Sequence, residues 1–143
     1  MKVRQISIFI ENELGRLYEV TRLLGDNSLN IRALSLADTS DFGIIRLIVN
    51  DPVKAHDILK AASFTVGINE VVAVAIPDVP GGLADVLGYI GDNKINIEYM
   101  YAFVDDSGKD AVMVFRFDDV DNALAVLTKS PYKVLNEEKV FNI

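Results

Sequence analysis

The chain has 143 residues, half of them apolar, with 14 basic against 21 acidic side chains for a net charge of −7, and no cysteine. That balance opposes binding to nucleic-acid phosphates or to anionic membrane surfaces. The absent thiols exclude disulfides, thiolate metal sites and cysteine nucleophiles, which fits a reducing cytoplasm.

The first predicted element is a strand over residues 3–10, where Ile6, Ile8 and Ile10 alternate with Ser7 and Phe9. Glu11 and Glu13 end its apolar run, which is too short for a signal-peptide core. No segment reaches the roughly 20 apolar residues of a membrane span. From Gly15 the period turns helical, with Leu17, Val20, Thr21 and Leu24 on one face. Gly25-Asp26-Asn27 ends this helix, and Asn27 is expected to take the left-handed conformation that stops it. Strands follow over 30–37 and 43–49. Asp51-Pro52 opens a second helix, because aspartate accepts from unpaired N–H groups and proline fits the first helical position. This helix is expected to end near Ala62, before a closing strand over 65–68.

The series then repeats. A strand over 72–76 leads to a helix marked by Leu83, Val86, Leu87 and Ile90 and stopped at Asn93; strands follow over 96–104 and 110–117. Asp119 caps a helix running to Lys129, and a last strand falls at Val134 or beyond. Residues 15–35 align with 81–101 at a constant offset of 66 with eight identities, including Gly15/Gly81, Gly25/Gly91, Asn27/Asn93 and Asn30/Asn96; such self-similarity is the mark of a repeat. Further on, Asp51/Asp119, Ala55/Ala123 and Leu59/Leu127 align at an offset of 68, which places a two-residue insertion between 105 and 108. The expected domains are 1–70 and 71–143, with no linker, so residues 70–76 serve as the end of the first copy, the start of the second, or both. Each is small enough to have a marginal core of its own. Strand-helix-strand-strand-helix-strand gives a four-stranded antiparallel sheet with both helices on one face, so the expected class is α+β with two ferredoxin-like units side by side. That fold hosts many functions.

The residues offer little for catalysis. His56, the only histidine, reads as a solvated side chain on the second helix, and one histidine without cysteine cannot supply a common transition-metal site. Asp105, Asp106, Asp110, Asp118, Asp119 and Asp121 flank a turn and a helix start, where acids are solvated or capping rather than metal-binding. Tyr99, Tyr101 and Phe103 read as sheet-face packing, since an RNA-binding sheet would be basic. The expectation is therefore no enzyme, no cofactor, no metal, no nucleic acid and no membrane.

The loop between first strand and first helix carries the functional signal. Asn12-Glu13-Leu14-Gly15-Arg16-Leu17 with Asn30-Ile31, and Asp78-Val79-Pro80-Gly81-Gly82-Leu83 with Asn96-Ile97, each resemble the ACT domain, whose pattern is Asn-x-Pro-Gly-x-Leu followed by Asn-Ile. The resemblance covers the whole chain as a tandem pair. It implies an amino-acid-binding regulatory protein without catalytic residues, a ligand at the interface between ACT domains near these sixteen residues, and a homodimer. In the family, domains pair through their second strands, here 30–37 and 96–104. Arg32 and Glu98 are then equivalent positions of opposite charge, open to an ion pair or to separate solvation. The alternative that a resemblance implies is a regulatory small subunit of an amino-acid biosynthetic enzyme, which would then be the partner, since residues 11–17 with 30–39 are also similar to the start of acetolactate synthase small regulatory subunits. The loops depart from the pattern differently: Leu14 stands where proline is usual, and Asp78 where asparagine is usual. An aspartate repels a carboxylate, so the two sites are expected to differ. Independently of the resemblance, a helix N-terminus behind a glycine suits a carboxylate; the plain alternative is a tight turn with Asn12 as the helix cap.

Overall fold

A computed structural model of the chain describes residues 1–38, 41–104 and 108–142. In chain order it has β1 (Val3–Glu11), α1 (Arg16–Asp26), β2 (Ile31–Asp38), β3 (Phe42–Val49), α2 (Pro52–Ala61), β4 (Thr65–Pro77), α3 (Gly82–Asp92), β5 (Ile97–Val104), β6 (Asp110–Phe117), α4 (Val120–Thr128), β7 (Lys133–Leu135) and α5 (Glu137–Phe141). Two elements differ from the sequence expectation. The strands expected at 65–68 and 72–76 are one continuous β4, which runs through Asn69-Glu70-Val71 without a break. The short α5 follows β7, where Asn136 caps it by accepting from the Lys139 N–H at 2.8 Å.

The chain divides into two compact units, residues 4–69 and residues 1–3 with 70–143. In the first, the strand order is β4-β1-β3-β2, with β1 and β2 both antiparallel to β3. In the second it is β7-β4-β6-β5, with every ladder antiparallel. Both are ferredoxin-like. The period of two explains the core of the first: Ile6, Ile8 and Ile10 of β1 and Ile45, Leu47 and Val49 of β3 turn to the face that meets Val20 and Leu24 of α1 and Ala55 and Leu59 of α2. In the second, Val72, Val74 and Ile76 with Met113, Phe115 and Phe117 meet Val86, Ile90, Ala123 and Leu127. Both helices of each unit thus lie on one face of its sheet. The second strands, β2 and β5, are end strands, each hydrogen-bonded to one neighbour among the described residues. The sequence reading expected these two strands to pair with each other; the ladders seen among the described residues are β2 with β3 and β5 with β6.

The helix stops use the repeated asparagines in another way. Asn27 (φ −101°) and Asn93 (φ −89°) are not left-handed; the next residues are, with Ser28 at 60° and Lys94 at 57°. The chain reverses there by N–H bonds from Leu29 to the Leu24 carbonyl (2.9 Å) and from Ile95 to the Ile90 carbonyl (3.2 Å). Each asparagine side-chain amide donates instead to a carbonyl four residues back, Leu23 or Tyr89, at 2.8 Å. Asparagine is thus recruited for its amide, not its tolerance of positive φ.

Candidate functional site

The β1–α1 loop and its counterpart between β4 and α3 have the same backbone. Gly15 (φ 86°, ψ −7°) and Gly81 (φ 86°, ψ −10°) are both left-handed and stand immediately before their helices. The Asn12 N–H donates to the Asp41 carbonyl at 2.9 Å and the Asp78 N–H to the Lys109 carbonyl at 3.1 Å, which ties each loop to the lead-in of the third strand. The Arg16 N–H reaches the Glu13 carbonyl at 3.3 Å and the Gly82 N–H the Val79 carbonyl at 3.0 Å.

No side chain caps α1 or α3. The contrast is internal, since Asp51 caps α2 by accepting from Lys54 N–H (3.1 Å) and Asp119 caps α4 by accepting from Asn122 N–H (3.1 Å). Asn12 therefore does not act as the helix cap. A helix N-terminus has N–H groups without intrahelical partners and a partial positive charge, the arrangement that holds an anion. Around it stand apolar side chains turned to solvent: Leu14, fully exposed, Leu17 and Tyr18 in the first unit, Val79 and Leu83 in the second.

The glycines divide by cause. A Cβ at Gly15 or Gly81 meets nothing within 4 Å, so these positions need glycine for their positive φ and not for a close neighbour in this chain. Gly82 is the reverse. Its φ is ordinary, but a Cβ there falls inside the 3.0 Å limit of real Cβ contacts against the Pro77 carbonyl oxygen. No periodicity signals this contact, which comes from the end of β4 folding back onto the start of α3.

Arg16 is engaged locally. Its guanidinium pairs with Glu11 (3.0 Å) and Glu19 (2.7 Å) and lies 4.8 Å above the Phe64 ring. Partial desolvation opposes its charge, but the hydrogen bonds and charges of Glu19 and Glu11 outweigh this and raise its pKa above the ordinary value. Glu13 stands exposed beside it.

Asn30 and Ile31 belong to the opposite end of α1. That helix has 11 residues, about 16 Å at 1.5 Å per residue. The Asn30 N–H donates to the Asn50 side chain at 3.0 Å, and Ile31 packs against the first core. In the second unit the Asn96 carbonyl accepts from the Asp118 N–H at 3.4 Å and Ile97 packs against the second core. Within one unit, then, the structure brings residues 12–17 or 78–83 together and holds the Asn-Ile pair apart from them.

The remaining candidates have structural roles. His56, with 26% of its side chain exposed, has Nδ1 3.2 Å from an Asp57 carboxylate oxygen. Asp118 accepts from the Asp119 N–H at 2.8 Å, and Asp121 pairs with Lys2 at 2.7 Å. Asp105 and Asp106 lie outside the described residues. Among those described, no three His, Asp or Glu side chains gather to hold a metal ion. Tyr99, Tyr101 and Phe103 lie half-buried opposite Arg116, Val114 and Val112, on the sheet face away from the helices. Glu98 is within ion-pair range of Arg116 at 3.9 Å, whereas Arg32 has its Nε buried without a hydrogen-bond partner. No described helix is long and apolar enough to cross a membrane.

The family model for an ACT domain pair matches residues 1–143. The chain belongs to the ACT domain pair family. Among solved structures, this ACT pair is similar to protein BT0572 from Bacteroides thetaiotaomicron at 40% identity, with a TM-score of 0.94 over 100% of this chain and 98% of that one. It shares its fold with the regulatory subunit of aspartate kinase from Thermus thermophilus in its ligand-free form, at 15% identity and a TM-score of 0.63, covering 88% and 91% of the two chains. The corresponding subunit from Thermus flavus gives 14% identity, a TM-score of 0.63 and coverage of 88% and 90%. No curated protein sequence matches the chain.

Proposed function

We propose that this ACT pair is a regulatory protein that binds a free amino acid at the glycine loops and passes the occupancy to a biosynthetic enzyme. The observation that carries the reading is the absence of a side-chain cap at α1 and α3, in a chain that caps α2, α4 and α5 with side chains. The amino-acid carboxylate rests on the first-turn N–H groups, Asn12 offers the ammonium a polar partner, and Leu14 and Leu17 give its side chain apolar surface. In the second unit Asp78 takes the place of Asn12 and repels a carboxylate, so the loop at 12–17 is the stronger site. A neighbouring ACT domain, supplied by pairing of two chains in the cytoplasm, completes the pocket. The end strand β2, with Leu34 and Leu36 exposed on it, supports a homodimer. The regulatory subunits of aspartate kinase that share the fold support regulation over catalysis.

Calorimetric titration with the twenty amino acids tests this. Asn12→Ala should weaken binding by about 0.5 to 3 kcal/mol, depending on the charge of the group it meets. Asp78→Asn should strengthen a second site or create one. If both variants bind with the stoichiometry and affinity of the parent, the loops are structural turns only.

A further inference from the structure

Glu11 and Arg16, the last residue of β1 and the first of α1, stand at the mouth of the first glycine loop, with residues 12–15 between them. The Arg16 side chain, 27% exposed, bridges that mouth. Its Nε donates to Glu11 Oε2 at 3.0 Å and its Nη1 to Glu19 Oε2 at 2.7 Å, while the guanidinium lies over the Phe64 ring. A guanidinium presents its donors in a rigid fork, so holding two acids at once fixes its orientation and theirs.

The second loop closes the same mouth by other means. At the offset of 66, Pro77 and Gly82 stand in place of Glu11 and Arg16, and neither carries a charge. There the start of α3 lies so near the Pro77 carbonyl oxygen that a Cβ at position 82 would fall inside the 3.0 Å limit of real contacts. Arg16 carries the Cβ for which the second mouth has no room, so the first cannot close by the same backbone approach. Behind the two mouths the backbones nevertheless agree, with Gly15 and Gly81 both at φ 86°. Two unlike contacts at one pair of equivalent positions thus accompany a single loop conformation, which makes the closed mouth a requirement of the loop.

We infer that Arg16 is a positioning residue for the first glycine loop, an inference that rests on the reading of this loop as an amino-acid site. By tying the end of β1 to the first turn of α1, it holds residues 12–15 in the conformation that presents the uncapped helix start. Arg16 does not itself meet the ligand, because its charge is committed to Glu11 and Glu19; it acts through the backbone it holds.

Two variants of the full chain test this. Arg16→Met keeps the stem over Phe64 and removes the donors, whereas Glu11→Ala keeps Arg16 and breaks its tie to β1. The N–H groups of Asn12 and Glu19 are bonded to the Asp41 and Gly15 carbonyls. In both variants their amide exchange, relative to intrinsic rates, should quicken about two- to fivefold, the loss expected from a partly exposed ion pair. The corresponding N–H groups of Asp78 and Asp85, bonded to the Lys109 and Gly81 carbonyls, should exchange as in the parent. Calorimetric titration with L-leucine should show both variants weakened by about the same factor, with Arg16→Lys, which keeps the charge without the fork, between them and the parent. Unchanged exchange at Asn12 and Glu19 overturns the inference. So does tighter binding of L-leucine by Glu11→Ala, because a released Arg16 would then be a direct ligand contact. If the parent binds no amino acid, the reading of the loop as a site fails, and the exchange rates alone decide whether Arg16 holds the loop.

Discussion

Gly82→Ala separates a steric glycine from the two ordinary ones in the same helix. The added methyl group must move about 1 Å from the Pro77 carbonyl oxygen to reach ordinary contact distance. Neither side yields easily: Pro77 is held in the β4–β6 ladder opposite Asp110, and Gly82 is a buried first residue of α3 whose N–H is bonded to Val79. Overpacking of this kind costs about 1 to 3 kcal/mol. At about 3 °C per kcal/mol for a chain of this size, the melting temperature should fall by roughly 3 to 9 °C. Gly88 lies in the same helix with nothing within 4 Å of its Cβ position, so Gly88→Ala should gain about 0.5 to 1 kcal/mol in helix propensity and melt roughly 2 to 3 °C higher. Differential scanning calorimetry of both variants gives the answer. If Gly82→Ala melts with the parent while Gly88→Ala rises, the approach of β4 to α3 is looser than described and the steric argument is wrong.

Ser28→Gly and Lys94→Gly should each stabilise the protein by up to about 1 kcal/mol, because both residues hold positive φ that glycine adopts without strain; chemical denaturation curves check this, and a loss of stability in both would refute the left-handed assignment. Asp51→Ala removes a side-chain cap and should cost about 1 kcal/mol, measured the same way. Asn27→Ala should cost about 0.5 to 1.5 kcal/mol through its lost bond to the Leu23 carbonyl, while Asn27→Gly, if positive φ were the need at that position, would instead match the parent.

The sequence by itself determined the class of each unit. Alternation at Ile6, Ile8 and Ile10 and helical spacing at Val20 and Leu24 reflect where water must be excluded, and that demand is local and periodic. The same holds for the caps at Asp51 and Asp119, where one side chain serves an N–H group three residues away. The repeated Gly15 and Gly81 were legible because positive φ restricts the residue type at a single position. Tertiary structure decided what depends on partners distant in the chain. Only the fold shows that β4 is continuous, that Gly82 faces the Pro77 carbonyl, that Arg16 is spent on Glu11, Glu19 and Phe64, and that the Asn30-Ile31 pair lies a helix length from the loop it accompanies in the motif. The Ser7–Asn69 bond joins residues 62 apart, a separation that no local pattern spans. Periodicity therefore specifies what each element buries, whereas the particular atoms that meet are set by packing among elements.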